Sequence, residues 1–519
     1  MGMKKYIFEL LLLFAAVACG KDALDYSPTD SGSGNKMLQA ANTAITSING
    51  VYRSMWTAGW STSGNTHQCF GIAAYNLAQD AMADDFIMQG QGNGWFWYDH
   101  TYNVKSYYTS SAWRSYDVWR AYYKWIADCN YVIDAGKTMS GEEEDVAFVE
   151  GQAFAIRGMS YLYLAEWFAR PPYNPITGES RWNDPGVPIY TTGTGIKTGG
   201  NPRASLKEVF KQVNADLDTA IVLLGKGKES VLNKNNKSQI GLYTALGLKS
   251  RCCLMAGDWE GAYNAAKRVI EEGEYTIGTE SMLMSGMNSI SAANVMWGAG
   301  IENAEQSGAY AGFFTHMDCV DGAYGQSAPK LINSSLYNHI GADDIRRGWW
   351  DPTDKESPYV TRKFKFANVA SWLGDYIYMR VEEMYFTAAE AALRLGYVQE
   401  ARDIMNEVMA PRNPSYNANY YSGTFLGSTT TTWTGSLLEN ILVQRRVELW
   451  GEYGRLFDVR RLGQGIDRKT SDGFSNDCIT AMSRAGINLT NPATYDWVLT
   501  IPQAELDANP NINSEDQNP

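Results

Sequence analysis

Arg445, Glu448, Glu452, Arg455, Asp458 and Arg461 stand three or four positions apart and are mixed in sign. On a helix this spacing sets guanidinium forks beside carboxylates, along the helix and toward its neighbours. Such a set can form an anionic-ligand or catalytic site, or a buried lattice of ion pairs. The lattice is the favoured reading, because each Arg has an Asp or Glu within one helical turn.

A second constellation runs from Gln89 to Asp99, QGQGNGWFWYD. Three Gly among Gln and Asn break any helix, and Trp95, Phe96, Trp97 and Tyr98 follow without a polar break. Ring faces beside planar amides and a carboxylate suit the apolar faces and the hydroxyls of sugar rings. Asn93, Trp95, Trp97 and Tyr98 are therefore candidate ligand contacts, with Trp297, Tyr324 and Trp349 as counterparts in a later loop-rich stretch. At each ring ordinary packing competes, since Trp is largely buried wherever it falls.

Catalysis has weaker support. A glycosidase needs two carboxyls about 5–9.5 Å apart across the sugar. Asp84-Asp85, Glu142–Asp145 and Asp343-Asp344 are candidate acids, but adjacent residues seldom face one cleft. No G-x-S-x-G, P-loop or dinucleotide glycine pattern is present. The four His are scattered with no H-E-x-x-H, so no metal site and no cofactor are expected. Cys69, Cys129, Cys252, Cys253, Cys319 and Cys478 lack C-x-x-C spacing or a disulfide rhythm.

These residues need elements to hold them. Ser436 with Glu439 forms a capping box that opens a helix over 437–463, with Leu438, Ile441, Leu442 and Leu449 on its apolar face. Helical patterns also cover Met37–Met55, about Phe70 to Met88, Trp113–Ile133 and Glu143–Ala169, the last stopped by Pro171-Pro172. Ser205 with Glu208 caps a further helix. Ile240–Glu272 and Met379–Met409 align without gaps as helix, Gly turn, helix. Ala262 and Ala401 each fall five positions after the turn Gly, where a small side chain lets two helices approach. This is the helix pair of tetratricopeptide repeats. The expected class is mainly α, a scaffold of about four such pairs with irregular insertions. Helix pairs lie mainly within 113–272 and 379–463, and loop-rich insertions at 89–111 and 275–378. Ligand contacts concentrate in insertions of this kind.

The chain has 519 residues, 45% hydrophobic, 13% aromatic (17 Trp, 32 Tyr) and only 19% charged. Uncharged rings and hydroxyls fit neutral sugars or peptides better than ionic ligands. A net charge of −13 without a basic patch argues against nucleic acid. Residues 1–18 read as a signal peptide: Lys4 and Lys5, then an apolar run too short to span a bilayer. Ala16-Val17-Ala18-Cys19 resembles a lipobox, which makes Cys19 the lipid-bearing first residue, with 19–36 as a tether; ordinary secretory cleavage nearby is the alternative.

The chain also resembles a family. Gln444-Arg445-Arg446-x-Glu448-Leu449, Glu452, Arg455, Phe457-Asp458 and Arg460-Arg461-x-Gly463 look like a signature of SusD/RagB-like proteins, the outer-membrane nutrient-binding lipoproteins of Bacteroidetes. Gln444 stands where a Glu is usual, and Tyr453 where a Gly is. Arg157, Tyr161, Leu164 and Phe168 match a second segment. Glu383, Tyr385, Ala389-Glu390-Ala391 and Gly396 match a third, and Ile501-Pro502-Gln503-x-Glu505 with Asn509-Pro510 and Gln517–Pro519 match the terminus. The resemblance implies a single domain over 37–519, lipid-anchored in the outer membrane and exposed at the cell surface. It also implies a glycan ligand and, as partner, a SusC-like TonB-dependent transporter that the protein covers as a lid. A peptide- or glycoprotein-binding member of the same fold is the alternative, a structural surface protein a third, and a glycoside hydrolase a remoter one.

Overall fold

The structure is a computed structural model that describes residues 34–57, 65–93, 95–102, 112–195, 197–302, 311–492 and 494–519. The signal peptide, Cys19 and most of the tether lie outside the described residues.

Helices dominate. In chain order the main ones are α1 (Ala41–Ser54), α2 (Ile72–Met82), α3 (Trp113–Gly136), α4 (Glu143–Phe168), α5 (Leu206–Lys226), α6 (Leu242–Ala256), α7 (Trp259–Glu272), α8 (Val381–Arg394), α9 (Val398–Met409), α10 (Leu437–Glu448), α11 (Arg455–Leu462) and α12 (Gln503–Ala508). α4 packs against α3 and α5, α6 against α5 and α7, and α7 against α8, which pairs with α9. This is the tetratricopeptide-like stack of a mainly α protein.

The turns follow from their residues. Gly257 and Gly396 take φ of 72° and 86°, a left-handed conformation that Gly enters without a Cβ clash. After Gly257, the Asp258 side chain accepts from the Gly261 N–H at 2.9 Å and caps α7. Ala262 and Ala401 are fully buried where their helices meet their neighbours. Ser205 and Glu208 form the full capping box at α5. At α10 only half forms. Ser436 caps the Glu439 N–H, while the Glu439 carboxylate accepts from Thr434 and Gly435.

Two expected helices are shorter than their apolar patterns. The span 437–463 is two helices, because Gly451 and Gly454 at φ of 74° and 93° turn the chain between α10 and α11. The helix expected to reach Met88 ends at Met82, and Phe86–Ile87 becomes strand β1 instead. Its pairing with β3 (Leu331–Ile332) supplies hydrogen bonds that a continued helix would have made internally. With β4 (Trp350–Asp351) and β5 (Val360–Thr361) these strands form an antiparallel sheet ordered β1-β3-β5-β4. A second, two-stranded sheet joins β2 (Val295–Ala299) to β6 (Tyr376–Arg380), so the 275–378 insertion is tied to the scaffold just before α8.

Candidate functional site: an aromatic cluster on two loops

The charged residues around α10 and α11 come first, because they carried the catalytic alternative. Glu448 is fully buried and receives Arg346, Arg380 and Arg412 at 2.9–3.1 Å. Glu452 takes Arg380 and Lys363, and Asp458 takes Arg445 and Arg461. Arg446 and Arg455 reach back to Asp84 and Asp85, pairing α10 and α11 with the segment after α2. Burial alone would raise the Glu448 carboxyl, but Arg412, Arg380 and Arg346 outweigh it and hold it well below the usual range. This is a buried lattice.

Most of its partners are remote in sequence, not one helical turn away as the spacing suggests; Arg461 with Asp458 is the local exception. The two departures from the family signature fit into the lattice. Gln444 Oε1 accepts from Arg346 Nη2, and the Tyr453 hydroxyl donates to Glu166 at 2.7 Å while Arg251 lies over its ring. Asp84, Asp85 and Asp344 are all spent on Arg side chains.

Two carboxyls do carry catalytic-looking pKa values. Burial pushes both Asp80 and Glu166 up to about 7. Both lie in the core, 2% exposed. The void beside Asp80 measures about 10 Å³, room for one water and for no sugar.

The aromatic candidates divide sharply. Trp297 and Trp349 are each 1% exposed. Trp297 lies in β2 against Tyr378, and Trp349 donates its indole N–H to the Leu283 carbonyl with Lys363 over its ring. The expectation that these two rings contact a ligand is therefore corrected: both faces are taken by the core. Trp97 is 7% exposed, beside His100. It opens a short helical turn locked by Asp99, which Arg114 grips with two hydrogen bonds of 2.9 Å. Trp97 supports the loop more than it displays a face.

Trp95 and Tyr324, 229 positions apart in the chain, come together: their rings meet at 5.8 Å. A residue that sequence reasoning missed joins them. His67 stacks on Trp95 at 4.5 Å, nearly parallel, and its Nδ1 is hydrogen-bonded to the Tyr324 hydroxyl at 2.7 Å. His316 Nε2 donates to the His67 carbonyl at 2.7 Å, and its ring lies 4.9 Å from Tyr324. Burial lowers the pKa of His67, and drives that of His316 well below the usual value. Phe96, next to Trp95, sits at φ 63°, a conformation that costs an aromatic residue energy. The Gln68 side chain holds it there by accepting the Phe96 N–H at 2.6 Å. Asn93 turns under the cluster to accept the Trp95 N–H, and Tyr98 is 37% exposed beside it.

Polar atoms are left over here. Asn93 Nδ2, Trp95 Nε1 and His316 Nδ1 are buried without a hydrogen-bond partner among the described residues. Each such group costs on the order of 1–3 kcal/mol while unpaired. A cleft of about 330 Å³ opens at the end of α1, lined by Asn49, Arg53, Trp56, Asn236, Gln239 and Glu302. Gln239 Oε1 is a further buried atom without a partner. Cluster and cleft border the same two stretches of chain, 58–64 and 303–310: Trp56 and Glu302 precede them, His67 and Phe313 follow. The signal that could have found Trp56 and His67 is composition. AGWSTSGN at 58–65 has the same Gly, Trp and hydroxyl character as the 89–99 run.

The SusD family matches residues 357–519, and a second family described as "Starch-binding associating with outer membrane" matches residues 66–250. Over these two stretches the chain is SusD-like. A SusD-like carbohydrate-binding protein from Bacteroides vulgatus is 25% identical, with 92% of this chain and 98% of that chain covered at a TM-score of 0.73. A SusD superfamily protein from Bacteroides thetaiotaomicron is 22% identical, with 92% and 100% covered at 0.73. One from Bacteroides fragilis, 18% identical, covers 92% and 100% at 0.69. No curated protein matches the chain. Both matched families lie on the scaffold described above.

Proposed function

We propose that this protein captures an oligo- or polysaccharide at the cell surface and passes it to a SusC-like TonB-dependent transporter. The observation that carries the reading is the Trp95–His67–Tyr324 cluster, in which three distant stretches of chain bring half-buried rings together. Trp95 and Tyr324 are half-buried and offer ring faces and edges, with the half-buried Asn93 beside them. Tyr98, exposed on the same stretch as Trp95, extends the surface along a chain-like ligand. No chemistry on the ligand is proposed: Asp80 and Glu166, whose pKa burial raises to about 7, are sealed in the core. Anchoring is through a lipid on Cys19, and a Cys19→Ala variant that stays membrane-bound would sink that part.

Affinity electrophoresis of the purified protein across a glycan panel tests the binding reading. Retardation by at least one neutral glycan, lost in Trp95→Ala, is expected. Retention by peptides and by no glycan would transfer the reading to peptide capture, and depolymerisation of any glycan would overturn binding without catalysis.

A further inference from the structure

A second cleft, of about 280 Å³, lies between the α3 face, the stretch 190–200 and α12. It shares no lining residue with the aromatic cluster or the cleft beside it. Ile126 and Ala127 of α3 make an apolar floor. Tyr123 and Tyr190 form one wall, edge to face at 6.0 Å. Asn130, Glu505, Asn509 and the backbone of Gly199 and Gly200 supply the polar rim.

The walls are held rigidly. The Tyr123 hydroxyl donates to the Pro188 carbonyl at 2.7 Å. Tyr190 accepts from the Asn201 N–H at 2.9 Å, which leaves its own hydroxyl proton to donate. Asn509 donates to the Asn201 carbonyl and to Glu505, both at 2.8 Å. Glu505 also accepts from the buried Trp119 indole at 3.3 Å. Gly200 has no substitute in this wall, because a Cβ there would sit 2.1 Å from the Asn509 side chain. The cleft is thus built from three distant parts of the chain.

Its chemistry selects among ligands. Glu505 is the one charged side chain among the described residues that line it, so nothing offsets an anion. The Glu505 charge is already met by two N–H donors, so the demand for a cation is low. An apolar floor, two phenol rings and a rim of hydroxyl, amide and carboxylate groups match a neutral polyol with one apolar face. The volume is close to the ~300 Å³ lower end for ligand clefts, which restricts the occupant to a short one. We propose that this cleft is a second binding site, taking one or two rings of a neutral saccharide. The ligand class rests on the carbohydrate reading above; the residues are independent of it.

Trp119 is a built-in reporter, since its indole N–H bonds the carboxylate at the cleft rim. The test is ¹⁹F NMR of the full chain labelled with 5-fluorotryptophan, titrated with maltose, cellobiose and mannobiose. Trp119→Phe and Trp95→Phe spectra assign the two resonances. The expected result is a saturable Trp119 shift with at least one disaccharide. It is abolished by Ala127→Phe, which fills the floor from a half-buried helix position, and retained in Trp95→Ala. A Trp119 signal unmoved by all three sugars while Trp95 responds would overturn the second site and leave the first standing. A Trp119 response with Trp95 silent would support the second site and overturn the first. Silence of both overturns both. A Trp119 shift with spermidine but with none of the sugars would overturn the assignment to neutral saccharides.

Discussion

The ion-pair lattice around α10 and the aromatic cluster at Trp95 are both partly or wholly buried, both rich in polar groups, and built on opposite principles. In the lattice Glu448 has three Arg partners, Asp458 two, and Asp84 and Asp85 share two more. Its carboxylates have no capacity to spare for a ligand. In the cluster Trp95 and Tyr324 remain half-buried, and their rings meet each other and His67 rather than ion-pair partners. A high density of chemically able residues therefore marks scaffold here, and half-buried rings gathered from distant stretches of chain mark the site. The second matters more for function.

The comparison can be broken most forcefully at Glu448. Removing one side of a buried ion pair costs about 3–5 kcal/mol, so Glu448→Gln should lose about that much stability in urea unfolding. The fraction still folded should bind glycan as wild type does. Glu166 tests the electrostatics by pH. Its folded pKa of about 7 lies above the ordinary Glu value of 4.5, so its contribution is fully present below pH 4.5 and lost as pH rises through 7. Glu166→Gln removes that decline. Its stability relative to wild type should rise between pH 4.5 and 8, by on the order of 3 kcal/mol, measured by unfolding at both pH values.

In the cluster the expected effects move from stability to binding. Trp95→Ala should weaken glycan binding about tenfold or more, equivalent to about 1.4 kcal/mol, read by titration calorimetry. Smallest of all should be the effect of core tryptophans on binding. Trp349→Phe strips the Leu283 carbonyl of its donor and should destabilise by about 1–3 kcal/mol, with no change in glycan affinity. An affinity loss there would blur the distinction between lattice and site.

The scaffold was legible because its rules are local. Gly257 and Gly396 with Ala262 and Ala401 are a fixed-spacing pattern, and the structure places each where that spacing requires. The lattice was legible in role but not in wiring. Arg446 and Arg455 find Asp84 and Asp85 more than 350 positions away, and no local spacing encodes that. Only half of the cluster was visible. Trp95 and Tyr324 stand out by type, but Trp297 and Trp349 have the same type and lie in the core, because a ring among Gly and Ser can face either way. His67 was missed because a single His in a polar loop carries no periodic signal. Its part depends on Trp95 and Tyr324 arriving on either side of it.

A double-mutant cycle on glycan binding with Trp95→Ala and Tyr324→Ala tests most directly that the two loops form one site. The singles should each weaken binding, and the double should lose less than their sum by about 0.5 kcal/mol or more, as expected for residues in contact. Wild-type affinity in both singles, with the proteins folded, would contradict a ligand site at this cluster.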